Sequence, residues 1–434
     1  MSNNASRVPA MSRASMTAAD WLRYLQLGLL VIAAGAIYPM LYLRQIYQGT
    51  MLQVLAINDH QLGVLYSILG TAFMVSYLPS GWLADRLSPR VLVSFSLLGT
   101  GALGLWYATL PGYTHLLLVF AGFGITAGLT FWAALLKRVK MIAREEEQGR
   151  FFGVLDGGRG LVEALLATIA IWLFARATEV QNADPAAALQ RVIHLYAGCC
   201  LVLGVVLGLI PDRGSATAAA TAREPAGHLG QDLRALVRIP ELWLVTAIVF
   251  CGFHLFWATY SFSAYLELDG MGMTATMAGV ITTIKLWMRP IGGIGGGWLG
   301  DRFSRTTVLQ IALLLAAAGM AGLVLLPGAG SVWIMVALVI FIGLMTYAVR
   351  GLYWAILDDC NIPTRITGLA IGIISMVGYA PDAFLPLLNG WFTQTFPGVL
   401  GYQLYFSYVV VMGVLGAVAT HVLHRRIRAR GKRA

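Results

Sequence analysis

Eight charged side chains and one histidine stand inside or at the edge of stretches too apolar to hold them without a reason. The cations are Arg44, Arg159, Lys285, Arg289 and Arg350; the acids are Asp156, Glu163 and Asp382; the histidine is His254. A charge at the centre of an apolar helix costs roughly 2.5–3.5 kcal/mol on insertion scales unless it is paired, snorkels to a polar edge or faces water. Cations so placed can hold an anion, and carboxylates so placed can take up and release protons.

Spacing sharpens this. Lys285 and Arg289 are four apart, hence on one helix face, and precede Gly297 by 12 and 8 positions, which puts them ~18 and ~12 Å in from the helix end at about 1.5 Å per residue. No acid shares that face, so the two read as an anion site, or as cations that snorkel or meet acids on other helices. In DGGRGLVE, Asp156 and Glu163 flank Arg159 on one face; the cluster either neutralises itself or couples protons to a substrate by breaking and remaking pairs. Asp382 lies in GYAPDAFLPLLNG, where Pro381 and Pro386 should interrupt a helix beside a cavity. Arg44, ending YPMLYLR, binds an anion or snorkels to headgroups. His254 is a substrate or proton ligand, or is hydrogen-bonded to a neighbour. Trp257, Tyr260, Tyr353 and Trp354 line a cavity or pack between helices. With Asp358 and Asp359 at the rim, five cations face three acids, an excess that a bound anion would offset.

The elements that position these groups are helices in a bilayer. Apolar residues make up 58% of the chain and charged residues 12%, with a mean hydropathy of +0.73. Twelve apolar segments, each near the ~20 residues a crossing needs, fall between residues 25 and 424. Connections 111–114, 327–330 and 393–399 lack Lys and Arg while the alternate ones carry them, so both termini are expected in the cytoplasm. The net charge of +10 is then positive-inside bias and not a nucleic-acid surface. The expected order is a cytoplasmic tail 1–24 with Arg7, Arg13 and Arg23, a six-helix bundle 25–211, a linker 212–240, a second bundle 241–424 and a basic tail 425–434. The linker's LGQDLRALVRIP can form a short amphipathic helix. Cys199, Cys200, Cys251 and Cys360 have no metal-ligand spacing. No P-loop, H-E-x-x-H or nucleophile elbow is found, and GGIGGG at 292–297 reads as close helix packing. The expectation is a protein that is not an enzyme, with no cofactor, metal or nucleic-acid partner.

One stretch occurs twice: GWLADRLSPR begins at Gly81 and GWLGDRFSR at Gly297, 216 positions later in a chain of 434. Repetition at half the chain length marks two copies of one unit. Glycines allow close helix approach, the acid can face a helix N-terminus, and the Arg favours the cytoplasmic side. FWAALLK at 131–137 is echoed by YWAILDD at 353–359, and at the offset of helices 5 and 11 Glu163 falls on Asp382.

The repeated G-x-L-[AG]-D-R pattern resembles the loop signature of the major facilitator superfamily. That resemblance implies an all-α membrane protein with twelve transmembrane helices in two pseudo-symmetric six-helix bundles, rocking about a midplane site. It assigns gating to Gly81, Asp85, Arg86, Gly297, Asp301 and Arg302, with Asp85 near the start of helix 11 and Asp301 near the start of helix 5. The Tyr-rich first helix with its late Arg44 resembles the organophosphate-phosphate antiporter and anion-cation symporter branches. In the antiporters an Arg so placed binds the anionic group; the second arginine expected on helix 7 is missing, with His254 near its position.

The expected function is secondary active transport of a small organic anion, a carboxylate, sulfonate or phosphorylated metabolite, across the inner membrane. Lys285 and Arg289 hold it with Arg44 or Arg159 and His254; Asp156, Glu163 and Asp382 are the proton-coupling candidates, with exchange for a counter-anion the other driving mode. One chain suffices for the pathway. Efflux of amphipathic or cationic compounds is the alternative, and a non-transporting membrane sensor a second.

Overall fold

A computed structural model describes residues 18–144, 147–211, 229–268, 271–326, 332–360 and 367–431. Arg7, Arg13, linker residues 212–228 and the last three residues lie outside it, as does the Asp358 side chain. Helices and the short turns between them make up the described residues. In the first half the helices are α1 (Ala18–Leu41), α2 (Arg44–Val54), α3 (Asp59–Arg86), α4 (Pro89–Ala108), α5 (Tyr113–Phe123), α6 (Trp132–Ile142), α7 (Gln148–Ala175) and α8 (Pro185–Leu209). A short α9 (Leu229–Val237) stands where the amphipathic piece was expected. The second half has α10 (Pro240–Ala258), α11 (Phe262–Leu266), α12 (Ala275–Arg302), α13 (Arg305–Leu325), α14 (Val332–Leu352), α15 (Thr367–Gly378), α16 (Pro381–Thr395) and α17 (Val399–Gly431).

Among the described residues ten helices or merged helices are long and apolar enough to cross a membrane, and α3, bent by 58° between Ser76 and Pro79, makes eleven. The chain is a multi-pass membrane protein. α12 is long enough at 28 residues but is outside that set; it carries Lys285, Arg289 and a run of glycines, and its low apolarity is the reason.

Local chemistry explains the breaks. Helix 4 was expected as one segment; it runs as α5, a π-turn at Gly124–Leu129, and α6. There Ser96 donates to the Thr126 carbonyl and Thr100 bonds the Thr126 hydroxyl at 2.8 Å, competing with the helical ladder. Helix 11 breaks at Tyr379–Ala380, and Pro381 opens α16, where a missing N–H is harmless; Pro386 sits within α16 without breaking it. The basic end 425–431 is not a separate tail but continues α17, tied back by Arg430 to Glu241 at 3.0 Å.

The halves meet most extensively through α3 with α16 and α7 with α12, and also through α2 against α11 and α12 and α3 against α15. Small residues permit the contact: a Cβ at Gly63 would lie 2.5 Å from the Pro386 carbonyl, and one at Gly390 2.5 Å from that of Asp59. GGIGGG works within the second half, where Gly292 and Gly296 leave room for Ala348 of α14. The cross-half hydrogen bonds from Ser67 to Ala383, Ser263 to Arg44 and Trp287 to Thr168 lie toward the Arg44 end. At the loop-motif end Asp85 and Asp301 are 72% and 71% exposed. Among the described residues the halves are hydrogen-bonded to each other at the Arg44 end, while the loop-motif acids of both halves face solvent.

Candidate functional site

The two loop motifs fold alike. Arg86 lies over Trp82, 4.2 Å from the ring centroid, and Arg302 over Trp298 at 5.5 Å. Asp85 is held by Lys137 and Asp301 by Arg305, both at 3.3 Å and each within its own half. Among the described residues neither acid is paired at the start of helix 11 or 5, and residues 361–366 before α15 lie outside the described set. Gly81 and Gly297 were expected to bring helices together, but an added Cβ at either meets nothing within 4 Å among the described residues.

Between the halves, Glu163 of α7 accepts an ion-paired hydrogen bond from Arg289 of α12. This corrects the self-neutralising cluster expected on α7: Glu163 reaches across to the other half, and Asp156 points outward, exposed and far from the role given to it. Arg159 is left without a carboxylate within 4 Å among the described residues. Its guanidinium lies 4.5 Å from the Tyr38 ring and 5.0 Å from that of Trp132, and its Nε has no hydrogen-bond partner.

Arg350 of α14 is in the same position on the other side. It lies 4.1 Å from the Phe256 ring and 5.9 Å from Phe253, also without a carboxylate within 4 Å among the described residues. Cation–π contacts are worth about 0.5–2 kcal/mol, less than the roughly 2.5–3.5 kcal/mol of placing each charge in the bilayer, so the aromatic faces alone do not offset these charges. The sequence marked Arg350 as anomalous without assigning it a place in the site. Tyr353 and Trp354 join Tyr379 in hydrogen bonds of 3.1 Å, an arrangement spacing alone could not reveal.

Asp382, 6% exposed, accepts a hydrogen bond from the Trp257 indole. Trp257 in turn caps Arg44, whose guanidinium lies 5.3 Å from its ring and 5.1 Å from that of Tyr66. Arg44 is 1% exposed and donates to Gln48 at 3.1 Å, so it does not snorkel; Nε and Nη1 have no partner. Lys285 was expected beside Arg289 in one anion site, but its ammonium is fully buried and donates to Thr259 at 3.1 Å. His254 has both ring nitrogens engaged: Nδ1 donates to the Phe250 carbonyl at 2.7 Å, which leaves Nε2 to accept from Tyr408 at 3.0 Å. It has no nitrogen for a ligand. Among the described residues no cluster could hold a metal ion.

The structure therefore gathers Arg159, Arg289, Arg350 and Glu163 about Tyr38, Phe256 and Tyr347, with Asp382 near Arg350. Arg44 and Lys285 stand behind aromatic or threonine cover, while Asp156 and His254 lie outside.

A family model described as Major Facilitator Superfamily matches residues 24–386. The inner membrane protein YqcE of Escherichia coli is 28% identical over 417 residues, covering 94% of this chain and 96% of that one. The inner membrane protein YihN of the same organism is 26% identical over 409 residues, covering 93% and 96%. Among solved structures, a bacterial homolog of the human lysosomal transporter Spinster, inward-facing and unoccupied, superposes with a TM-score of 0.75 at 14% identity, covering 96% of this chain and 99% of that one. A point mutant of the nucleoside transporter NupG gives 0.72 at 14% identity, covering 92% and 99%.

Proposed function

This chain belongs to the Major Facilitator Superfamily, and we propose that it carries a small organic anion, a carboxylate, sulfonate or phosphorylated metabolite, across the inner membrane by alternating access. The observation that carries this reading is the pair Arg159 and Arg350, on opposite halves, each against aromatic faces and neither with a carboxylate within 4 Å among the described residues. A guanidinium presents a planar fork that suits carboxylate, sulfonate and phosphate oxygens. NupG is a nucleoside transporter; an uncharged cargo would leave the charge of these arginines in place here.

In this reading the loop-motif end is cytoplasmic, as its Arg and Lys content favours, and α12 is the twelfth span, its charge tolerated because it faces the chamber. The anion bridges Arg159 and Arg350 and competes with Glu163 for Arg289. Glu163, released, takes a proton, and the halves lose one of the bonds joining α7 to α12. Asp382 serves as the second proton-coupling candidate through Trp257, and Arg44 and Lys285 complete the anion site in the other state. Efflux of cations fits less well, because both candidate acids already have donors.

Uptake of labelled carboxylates, sulfonates and sugar phosphates into proteoliposomes, with and without an inward proton gradient, tests the reading. Uptake of one anion class that Arg159→Ala abolishes supports it. Transport of hydrophobic cations with no anion uptake would overturn it.

A further inference from the structure

We propose that Lys285 does not carry a lysine's ordinary charge in the described conformation: it is a neutral amine here, and takes a proton when the halves separate at the Arg44 end. Its charge then exists only where it meets the cargo, a role that rests on reading that cargo as an anion. Arg44, Arg159, Arg289 and Arg350 offer no such choice, because a guanidinium stays protonated in a protein, whereas an amine can shed its proton.

The partners of the nitrogen match an amine. Lys285 is 0% exposed, and among the described residues its Nζ has two acceptors, both on Thr259: the hydroxyl at 3.1 Å and the carbonyl at 3.5 Å. The Thr259 hydroxyl gives its own hydrogen to the Phe256 carbonyl at 2.8 Å, so toward Lys285 it can only accept. An amine has two N–H groups and both are met; an ammonium has three, and the third would be buried without an acceptor. The charged groups that act on the nitrogen are Glu163 of α7 and Arg289 of α12, and the Tyr260 ring centroid lies 5.8 Å away. Tyr347 of α14 faces the same Glu163 and Arg289. Since Glu163 is already paired with Arg289, an ammonium at Lys285 would add a buried charge with no carboxylate of its own. The stem has no room to swing away: a Cβ at Gly343 of α14 would lie 2.4 Å from Lys285 Cγ.

First-half residues cover this part of α12. A Cβ at Gly279 would lie 2.5 Å from Ile171 of α7 and 3.2 Å from Ile46 of α2. The turn that carries Thr259 leads into Ser263, which donates to the Arg44 carbonyl at 3.3 Å. Separation at the Arg44 end breaks these contacts and admits water to Nζ. A hydronium then gives its proton to the Nζ lone pair and is left as water, and the ammonium pairs with the anion arriving from the same side. The halves close on both together. When the anion leaves on the other side, water there takes the proton, and the amine returns to Thr259.

The test needs no substrate, since the probe is the proton. The chain has four lysines, Lys137, Lys140, Lys285 and Lys432, so full-length protein labelled with nitrogen-15 at lysine Nζ gives a short spectrum. Solid-state NMR in nanodiscs at neutral pH separates amine from ammonium by the nitrogen shift, and Lys285→Met identifies the signal. Gly63→Trp and Gly390→Trp each wedge α3 away from α16, and either serves if the other fails to fold. The expected result is an amine shift for Lys285 in the parent and an ammonium shift in the wedged variants, with the other lysines ammonium throughout. An ammonium shift for Lys285 in the parent would overturn the proposal. So would an amine shift in a wedged variant whose spin labels at Gln53 and Gln394 show the halves apart. Labelled-anion uptake tests the anion reading on its own, so a failure of either is seen separately.

Discussion

Glu163 on α7 and Arg289 on α12 are ion-paired across the two halves of the molecule, each side chain 13% exposed. Removing either partner leaves a charge in a largely dry interface. Glu163→Gln and Arg289→Gln should each destabilise the protein, and a double-mutant cycle by SDS unfolding should give a coupling of about 1–3 kcal/mol. Strict additivity would mean that the pair does not hold the halves together.

Arg350 and Arg159 depend on planar stacking as well as charge. Arg159→Lys and Arg350→Lys should retain anion binding with Kd raised about tenfold, and the alanine variants should lose it. Isothermal titration calorimetry with the transported anion checks this; lysine variants as weak as alanine would mean that shape, not charge, decides.

Trp257 joins Asp382 to the aromatic cover of Arg44. Trp257→Phe leaves a buried carboxylate without its donor and should lower stability by about 1–3 kcal/mol. Adding Asp382→Asn should recover part of that loss, which melting curves of the single and double variants would show.

The closed end should respond to pH through Glu267. This carboxyl lies just past α11 against Gly49 of α2, and a Cβ on Gly49 would collide with it. Burial pushes its pKa up to about 7 from 4.5, and Tyr402 is the neighbouring titratable group that feels its charge. When this end opens, the carboxyl meets water and regains its ordinary value. The closed form therefore binds more protons: closure is unpenalised below pH 4.5, weakens as pH rises toward about 7, and is fully penalised above that. Spin labels at Gln53 and Gln394 should report a larger separated population at high pH, and Glu267→Gln should flatten the profile.

The architecture was legible because its signals are repetitive: a twice-occurring loop motif, apolar runs of spanning length and alternating basic connections survive any local error. The site was legible only as a set of misplaced charges. Spacing along α7 paired Arg159 with its own neighbours, whereas the partner of Glu163 comes from a helix more than a hundred residues away. Lys285 and Arg289 do share a helix face, yet α12 packs so that one meets Glu163 and the other Thr259. Arg350 stood out only as a misplaced charge until the fold placed it against Phe256. His254 could not be told from a ligand until α17 supplied Tyr408. Helix rotation and packing set these partners, and neither is written in periodicity when a helix is apolar all round.

The most direct test is thermal unfolding of the purified protein against carboxylates, sulfonates, phosphorylated sugars and hydrophobic cations, in the parent, Arg159→Ala and Arg350→Ala. Ligand at about 100 times its Kd adds about 2.7 kcal/mol, enough to raise the melting temperature measurably. One anion class should stabilise the parent and neither alanine variant. Stabilisation by hydrophobic cations alone, or by anions equally in all three proteins, would contradict an anion site between Arg159 and Arg350.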